Sequence, residues 1–189
     1  SFFQSDRRVV LAMMAGLAVA PSACAQDLSR SLWQQYRQAF LSSDGRVMDT
    51  GNGNVSHSEG QGFALLLALA ANDRRSFESM FNWTEANLVR SDSGLYAWRY
   101  HPSHTPPVSD PNNATDGDVL IAWALLMAAT KWNRDDYALR SQTLRAAILR
   151  EVAVSHAGKR LLLPGRLGFS DDKGVVLNLS YYVWPALDA

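Results

Sequence analysis

Apolar residues at Leu28, Leu32, Trp33, Tyr36 and Phe40 recur every three or four positions, the spacing of an amphipathic helix that Asp44-Gly45 brings to an end. From Gly60 to Ala71 the run GQGFALLLALAA is apolar on nearly every side. That pattern predicts a helix buried all round, and the run is too short to cross a bilayer. Asp73 can cap the next helix, in which Phe77, Phe81, Ala86 and Leu88 alternate with Arg74, Arg75, Glu78 and Glu85, leaving one wet face. Gly117 to Lys131 is again apolar throughout. Asp135 to Val154 reads as a second half-wet helix, with Leu139, Leu144, Ile148 and Val152 on one side and Arg140, Arg145 and Arg150 on the other.

An all-buried helix followed by a half-wet one thus occurs twice. Such alternation predicts an all-α fold of concentric helical rings, with the buried helices inside and the connecting loops gathered at the ends. Residues 91–113 carry four prolines and form a long loop of the kind that holds functional groups. Near the end, short apolar runs are broken by Pro164, Gly165 and Gly168, and a third inner helix is expected to start near Ser180. An apolar helix cut short suggests that the chain stops inside a larger domain.

Residues 1–25 read as a signal peptide: Arg7 and Arg8 precede the apolar run Val9 to Ala20, then Pro21 and the small segment Ala23-Cys24-Ala25, so the mature chain would begin at Gln26. A retained anchor, or acylation of Cys24, are the competing readings. Cys24 is the only cysteine, so the mature chain would hold no disulfide and no thiol nucleophile. With 18 basic and 18 acidic residues the chain is balanced, which argues against nucleic acid as a partner and suits a neutral polymer.

Three acids stand where polar loops enter the apolar helices. Glu59, in NVSHSEGQGF, immediately precedes one of them, where burial would raise its pKa and suit it to general-acid work. Ser56-His57-Ser58-Glu59 also fits a capping box, in which Glu59 only satisfies a helix amide. Asp116 and Asp118, in ATDGDVLIAWALL, open the other inner helix. If both openings face one end of the rings, Glu59 and Asp116 could flank one substrate; alternatively the two aspartates only favour a helix N-terminus electrostatically. Trp98, with Tyr96 and Tyr100 in the long loop, offers a platform for a pyranose ring, whereas Trp33, Trp83, Trp123 and Trp132 sit at helical spacing and read as core. His101 and His104 lie in a proline-rich loop without the H-E-x-x-H arrangement, so no metal or other cofactor is expected. Neither G-x-S-x-G nor a phosphate-binding glycine pattern occurs.

Taken together, SHSEGQGFALLLA, LYAWR, ATDGDVLIAWALLMAATKW, LLPG and NLSYY, in that order, resemble glycoside hydrolase family 8, and most closely its endoglucanases associated with bacterial cellulose synthase. The resemblance runs from about Trp33 to the last residue. It implies that residues 26–189 are the N-terminal part of an (α/α)6 barrel that cuts β-1,4-glucan within the chain, with inversion and without a metal. It also implies Glu59 as proton donor, Asp116 as the second catalytic residue, binding and distorting the sugar beside the scissile bond, and, for substrate binding, Trp98 as a stacking aromatic, Asp118, and Tyr181 near the attacking water. The family's base, an aspartate in an S-Y-D-A-I-R-like motif, is not present in this sequence. An inverting enzyme needs that carboxylate about 6.5–9.5 Å from the acid, so the 189 residues alone are expected to be inactive. The resemblance further implies a periplasmic or secreted protein with no membrane segment after cleavage, and a link to the cellulose export machinery. A non-catalytic glucan-binding accessory protein, or a chitosanase, mixed-linkage glucanase or xylanase, are the alternatives. Inner helices without partners across the ring would expose apolar surface and promote assembly or aggregation.

Overall fold

The computed structural model describes residues 23–189, so the predicted leader, apart from its last three positions, lies outside the described residues. Among the described residues five long or medium helices carry the fold: α1 (Ala23–Phe40), α2 (Ser58–Ala70), α3 (Arg74–Leu88), α4 (Thr115–Trp132) and α5 (Asp135–Glu151). A short α6 (Trp184–Leu187) follows near the end. α2 packs on α3 and α4, and α4 packs on α5. The two all-apolar segments therefore form the inner layer, and the two amphipathic ones the outer layer, as their patterning requires. This is the inner and outer helical arrangement expected of the (α/α)6 fold.

Local chemistry stops α2 and α4. Asn72 and Asn133 follow α2 and α4 with left-handed φ of 57° and 51°, a conformation that asparagine tolerates better than most residues. Asp73 then starts α3: its carboxylate accepts from Ser76 N at 3.1 Å, from Trp33 Nε1 at 2.9 Å and from Arg37 Nη1 at 2.7 Å. One side chain thus caps α3 and fastens α1 to it. Burial pushes the Asp73 carboxyl up, but these hydrogen bonds and the Arg37 charge outweigh it and hold the group below the usual range.

Gln61, fully buried in the first turns of α2, joins three elements. Its Oε1 accepts from Val47 N at 2.6 Å, and its Nε2 donates to Met80 O at 3.2 Å and Thr84 Oγ1 at 2.8 Å. Leaving such groups unpaired in the interior would be costly, so Gln61 fixes where the 41–56 loop and α3 sit relative to α2.

Three two-stranded antiparallel pairs accompany the helices: β1 (Ser56–His57) with β2 (Arg99–Tyr100), β3 (Ala153–His156) with β4 (Lys159–Leu162), and β5 (Ser170–Asp171) with β6 (Gly174–Val175). The predicted helix to Val154 instead ends at Glu151, because Val154 pairs with Leu161 in a hairpin. Its two loop residues, Ala157 and Gly158, both have positive φ, the geometry that matches strand twist. Leu139, assigned to the buried stripe of α5, is 65% exposed, while Leu144, Ile148 and Val152 are buried as expected.

Two further expectations are corrected. No third inner helix runs from Ser180; a 3-10 turn over Leu179–Tyr181 and the four-residue α6 stand there. The inner helices are also not bare, since α2 is buried along almost its whole length and α4 exposes little beyond Met127 and its C-terminal polar residues. The C-terminal segment exposes a run of apolar residues, Val176, Leu177, Leu179, Trp184 and Leu187, with Leu179 77% exposed. Among the described residues no helix is long and apolar enough to cross a membrane.

Candidate active site

α2 and α4 run parallel and in contact at both ends. A Cβ placed on Gly117 would lie 2.3 Å from Ser58 Oγ and 2.9 Å from Glu59 N, and one on Gly62 would lie 2.6 Å from Leu120 Cβ. Only glycine permits this approach. At the far end Lys131 Nζ donates to Leu69 O at 3.0 Å and Trp132 Nε1 to Asn72 Oδ1 at 3.1 Å. The two helix N-termini therefore open side by side, and their positive dipole ends favour carboxylates at that mouth.

Glu59 and Asp116 occupy the first turns of these two helices. Glu59 is half-buried, not enclosed as its place before an apolar helix suggested. Ser56 does not hold the N-cap position that the capping box requires. The N-cap position falls on His57, in extended conformation and with no side-chain cap, while Ser56 accepts from Arg46 Nη1 at 3.3 Å. Asp116 is buried and its Oδ1 accepts from Gly117 N at 2.9 Å.

Trp98 reaches the same mouth from the long loop. β2 pairs with β1 so that His57 is opposite Arg99, and Ser58 N donates to Trp98 O at 3.1 Å. The Trp98 ring stacks on His57 with centroids 5.8 Å apart, Arg99 lies over its ring at 4.9 Å, and its Nε1 donates to Asp110 Oδ2 at 2.7 Å. Burial holds the His57 imidazole below its ordinary pKa, with Asp49 opposing and Arg99 reinforcing the shift, so the ring facing Trp98 is neutral near pH 7. Tyr96, proposed beside Trp98 as a loop aromatic, is instead fully buried, with its hydroxyl bonded to Glu85.

Asp118 does not reach the mouth. It is 0% exposed, in the first turn of α4 two residues beyond Asp116, and both oxygens are engaged: Oδ1 accepts from Tyr96 N at 2.9 Å and Oδ2 from Asn113 Nδ2 at 2.8 Å. Both oxygens are therefore turned to the two ends of the 91–113 loop. Burial raises its carboxyl to about 7, with the nearby Asp116 adding to the rise and the two hydrogen bonds and Arg140 opposing it.

The Leu163-Pro164-Gly165 segment closes the other side of the α4 mouth. Thr115 N and Oγ1 donate to Pro164 O at 2.9 Å and Leu163 O at 2.7 Å, and Arg166 N donates to Asn113 Oδ1 at 2.7 Å. A Cβ on Gly165 would lie 2.7 Å from Asn113 O. Tyr181 closes the 3-10 turn, half-buried, in the C-terminal segment whose α6 packs on α4. The structure thus gathers Glu59, Asp116 and Trp98 at one mouth, places Asp118 beneath it, and leaves Tyr181 on the separate C-terminal segment. His57, Asp110 and Asn113 were missed by sequence reasoning, since their roles depend on contacts across the loop. His101 and His104 stack ring on ring at 3.7 Å, and among the described residues no three His, Cys, Asp or Glu side chains converge as metal ligands.

A family profile described as glycosyl hydrolases family 8 matches residues 3–189. The chain belongs to family 8. Among its family 8 relatives, an endoglucanase of Cellulomonas uda is 45% identical over 181 residues, covering 95% of this chain and 49% of the relative. A probable endoglucanase of Novacetimonas hansenii is 44% identical, covering 89% and 48%. Among solved structures, the endo-β-1,4-glucanase CMCax of Acetobacter xylinum superposes with a TM-score of 0.83 at 44% identity, covering 86% of this chain and 51% of that one. The family 8 endoglucanase Cel10 of Klebsiella pneumoniae gives 0.80 at 47% identity, covering 82% and 50%. The chain spans about half the length of the relatives it matches.

Proposed function

We propose that the chain supplies the acid side of an endo-β-1,4-glucanase that hydrolyses glucan with inversion. The observation that carries this reading is the shared mouth of α2 and α4, where half-buried Glu59 lies against Gly117, next to the buried Asp116, and follows the Ser58 amide that holds the Trp98 carbonyl. Membership of family 8 and several endoglucanase relatives at 37–45% identity support the choice of reaction and substrate.

In this mechanism the Trp98 face takes the apolar face of a glucose ring, and Asp116 binds and distorts the sugar beside the scissile bond. Glu59 donates its proton to the leaving glycosidic oxygen. A second carboxylate on the opposite face takes a proton from the attacking water. That base has no counterpart among the motifs of these 189 residues, and Tyr181 is assigned to the neighbourhood of the water. The reading includes export through the leader at 1–25, to periplasm or medium, and association with cellulose synthesis, both of which rest on the sequence and its resemblance alone.

The test is carboxymethylcellulose hydrolysis by the product of the whole reading frame, with Glu59→Gln expected to abolish it. Products formed from chitosan, xylan or mixed-linkage glucan in preference to cellulose would change the substrate. Glucan binding without hydrolysis would replace the enzyme with a binding protein. Hydrolysis by the 189 residues alone, lost in Glu59→Gln, would overturn the placement of the base outside them.

A further inference from the structure

The long loop that carries Trp98 is anchored by a buried pair of side chains. Asp118 Oδ1 holds the Tyr96 amide, two residues before Trp98, at 2.9 Å, and Asp118 Oδ2 holds Asn113 Nδ2, at the other end of the loop, at 2.8 Å. Asn113 in turn takes Arg166 N on its Oδ1 at 2.7 Å, while Trp98 N donates to the carbonyl of Asn112 at 2.9 Å and Ala97 bridges to Asn113 in an antiparallel pair. Asp118 is wholly enclosed and Asn113 is 6% exposed, so water does not replace these bonds. In a low-dielectric interior, hydrogen bonds to a carboxylate are among the stronger ones.

We propose that Asp118 and Asn113 form a clasp that draws the two ends of the 91–113 loop onto α4 and thereby sets the Trp98 ring at the mouth beside Glu59. Asp118 is a positioning residue: it acts on substrate only through the loop, and what the ring binds rests on the endoglucanase reading. The clasp has a definite polarity. The chain offers donors at Tyr96 N and Arg166 N, and between them one carboxylate and one amide satisfy every group. Exchanging the two side chains preserves that count: an amide at position 118 would accept from Tyr96 N and donate to a carboxylate at position 113, whose second oxygen would accept from Arg166 N. Changing either one alone does not, because Asp118→Asn sets amide donor against amide donor and Asn113→Asp sets carboxylate against carboxylate.

The experiment follows the Trp98 indole N–H resonance, identified by its loss in Trp98→Phe, and hydrogen exchange at the Tyr96 and Trp98 amides in the whole protein. In Asp118→Asn the indole resonance should move and both amides should exchange faster by about tenfold or more, the effect of losing one charge-assisted hydrogen bond. Exchange at amides of α2 and α5 should stay unchanged. Combining Asp118→Asn with Asn113→Asp should return the indole resonance and the protection. Unchanged Trp98 signals in Asp118→Asn would overturn the clasp, and so would general loss of helix that the double exchange fails to repair, which would assign Asp118 to the core alone. Cellohexaose separates the two readings: if the double exchange restores the loop but cellohexaose leaves the Trp98 resonance unmoved in the native protein, the clasp stands and the glucan reading fails.

Discussion

Gly117 meets Ser58 so closely that a methyl group on its Cα would lie 2.3 Å from the Ser58 hydroxyl oxygen and 2.9 Å from Ser58 Cβ. The Ser58 hydroxyl is buried there without a hydrogen-bond partner, so the contact is one of shape alone. Gly117→Ala should cost about 1–3 kcal/mol by overpacking, read from urea unfolding. It should also part the two helix mouths and lower hydrolysis about a hundredfold in the whole enzyme, as small displacements of catalytic groups do. Ser58→Ala in the same protein should restore only part of the stability, since Ser58 Cβ and Glu59 N still crowd the added methyl.

Gln61 is the other buried group that sets the mouth, because it ties Val47 N to Met80 O and Thr84 Oγ1 through α2. Gln61→Leu keeps the volume but leaves the buried Val47 N unpaired, while Thr84 Oγ1 keeps its bond to Met80 O at 2.8 Å. A loss of at least about 2 kcal/mol is expected in chemical denaturation. A leucine variant as stable as the native chain would show that the hydrogen bonds contribute nothing net.

The sign of the pH dependence follows from the raised Asp118 carboxyl, which moves from 3.8 to about 7 on folding. A group whose folded pKa lies above its unfolded value stabilises the fold fully below the unfolded value and loses that contribution as pH rises through the folded one. Stability owed to Asp118 should therefore fall between about pH 4 and about pH 7. Asp73, held below its ordinary value, acts in the opposite direction at lower pH. The clean measurement is the difference in melting temperature between the native chain and Asp118→Asn, which should be larger near pH 5 than near pH 8. A difference constant across that range would show that Asp118 does not titrate there.

The Trp98 ring is oriented by the bond from its Nε1 to Asp110 Oδ2 and by stacking on His57. Trp98→Ala should weaken cellohexaose binding by about tenfold, the scale of a lost aromatic contact. Asp110→Ala should produce a smaller loss, because it frees the ring's orientation without removing its surface. Equal binding in all three proteins, measured calorimetrically, would remove Trp98 from the substrate site.

Much of the helical plan was readable along the chain. The runs GQGFALLLALAA and DGDVLIAWALL could only be inner helices, since nearly every position is apolar, and the charged positions of the segments that follow them required a wet face. The third inner helix did not follow from its apolar residues, because Pro185 would fall inside a helix begun at Ser180, where it offers no N–H to the ladder, and is accommodated only at the start of the short α6. The capping-box reading of Glu59 matched a local spacing that β1–β2 pairing overrode by setting His57 at the N-cap.

What the sequence determined by itself was local and periodic: which segments are helical, which helix faces are apolar, and that acids stand at two helix openings. The resemblance in its motifs also carried the family. What only the tertiary structure decided was which acid faces outward. Asp116 and Asp118 are two residues apart on one helix and look equivalent in a string, but Gly117 lets the start of α2 pack against α4 beside Asp116 while the 91–113 loop folds down on Asp118. Burial and hydrogen-bond polarity are set by residues distant along the chain, so they made Asp118 a buried anchor and left Glu59 half-open at the mouth.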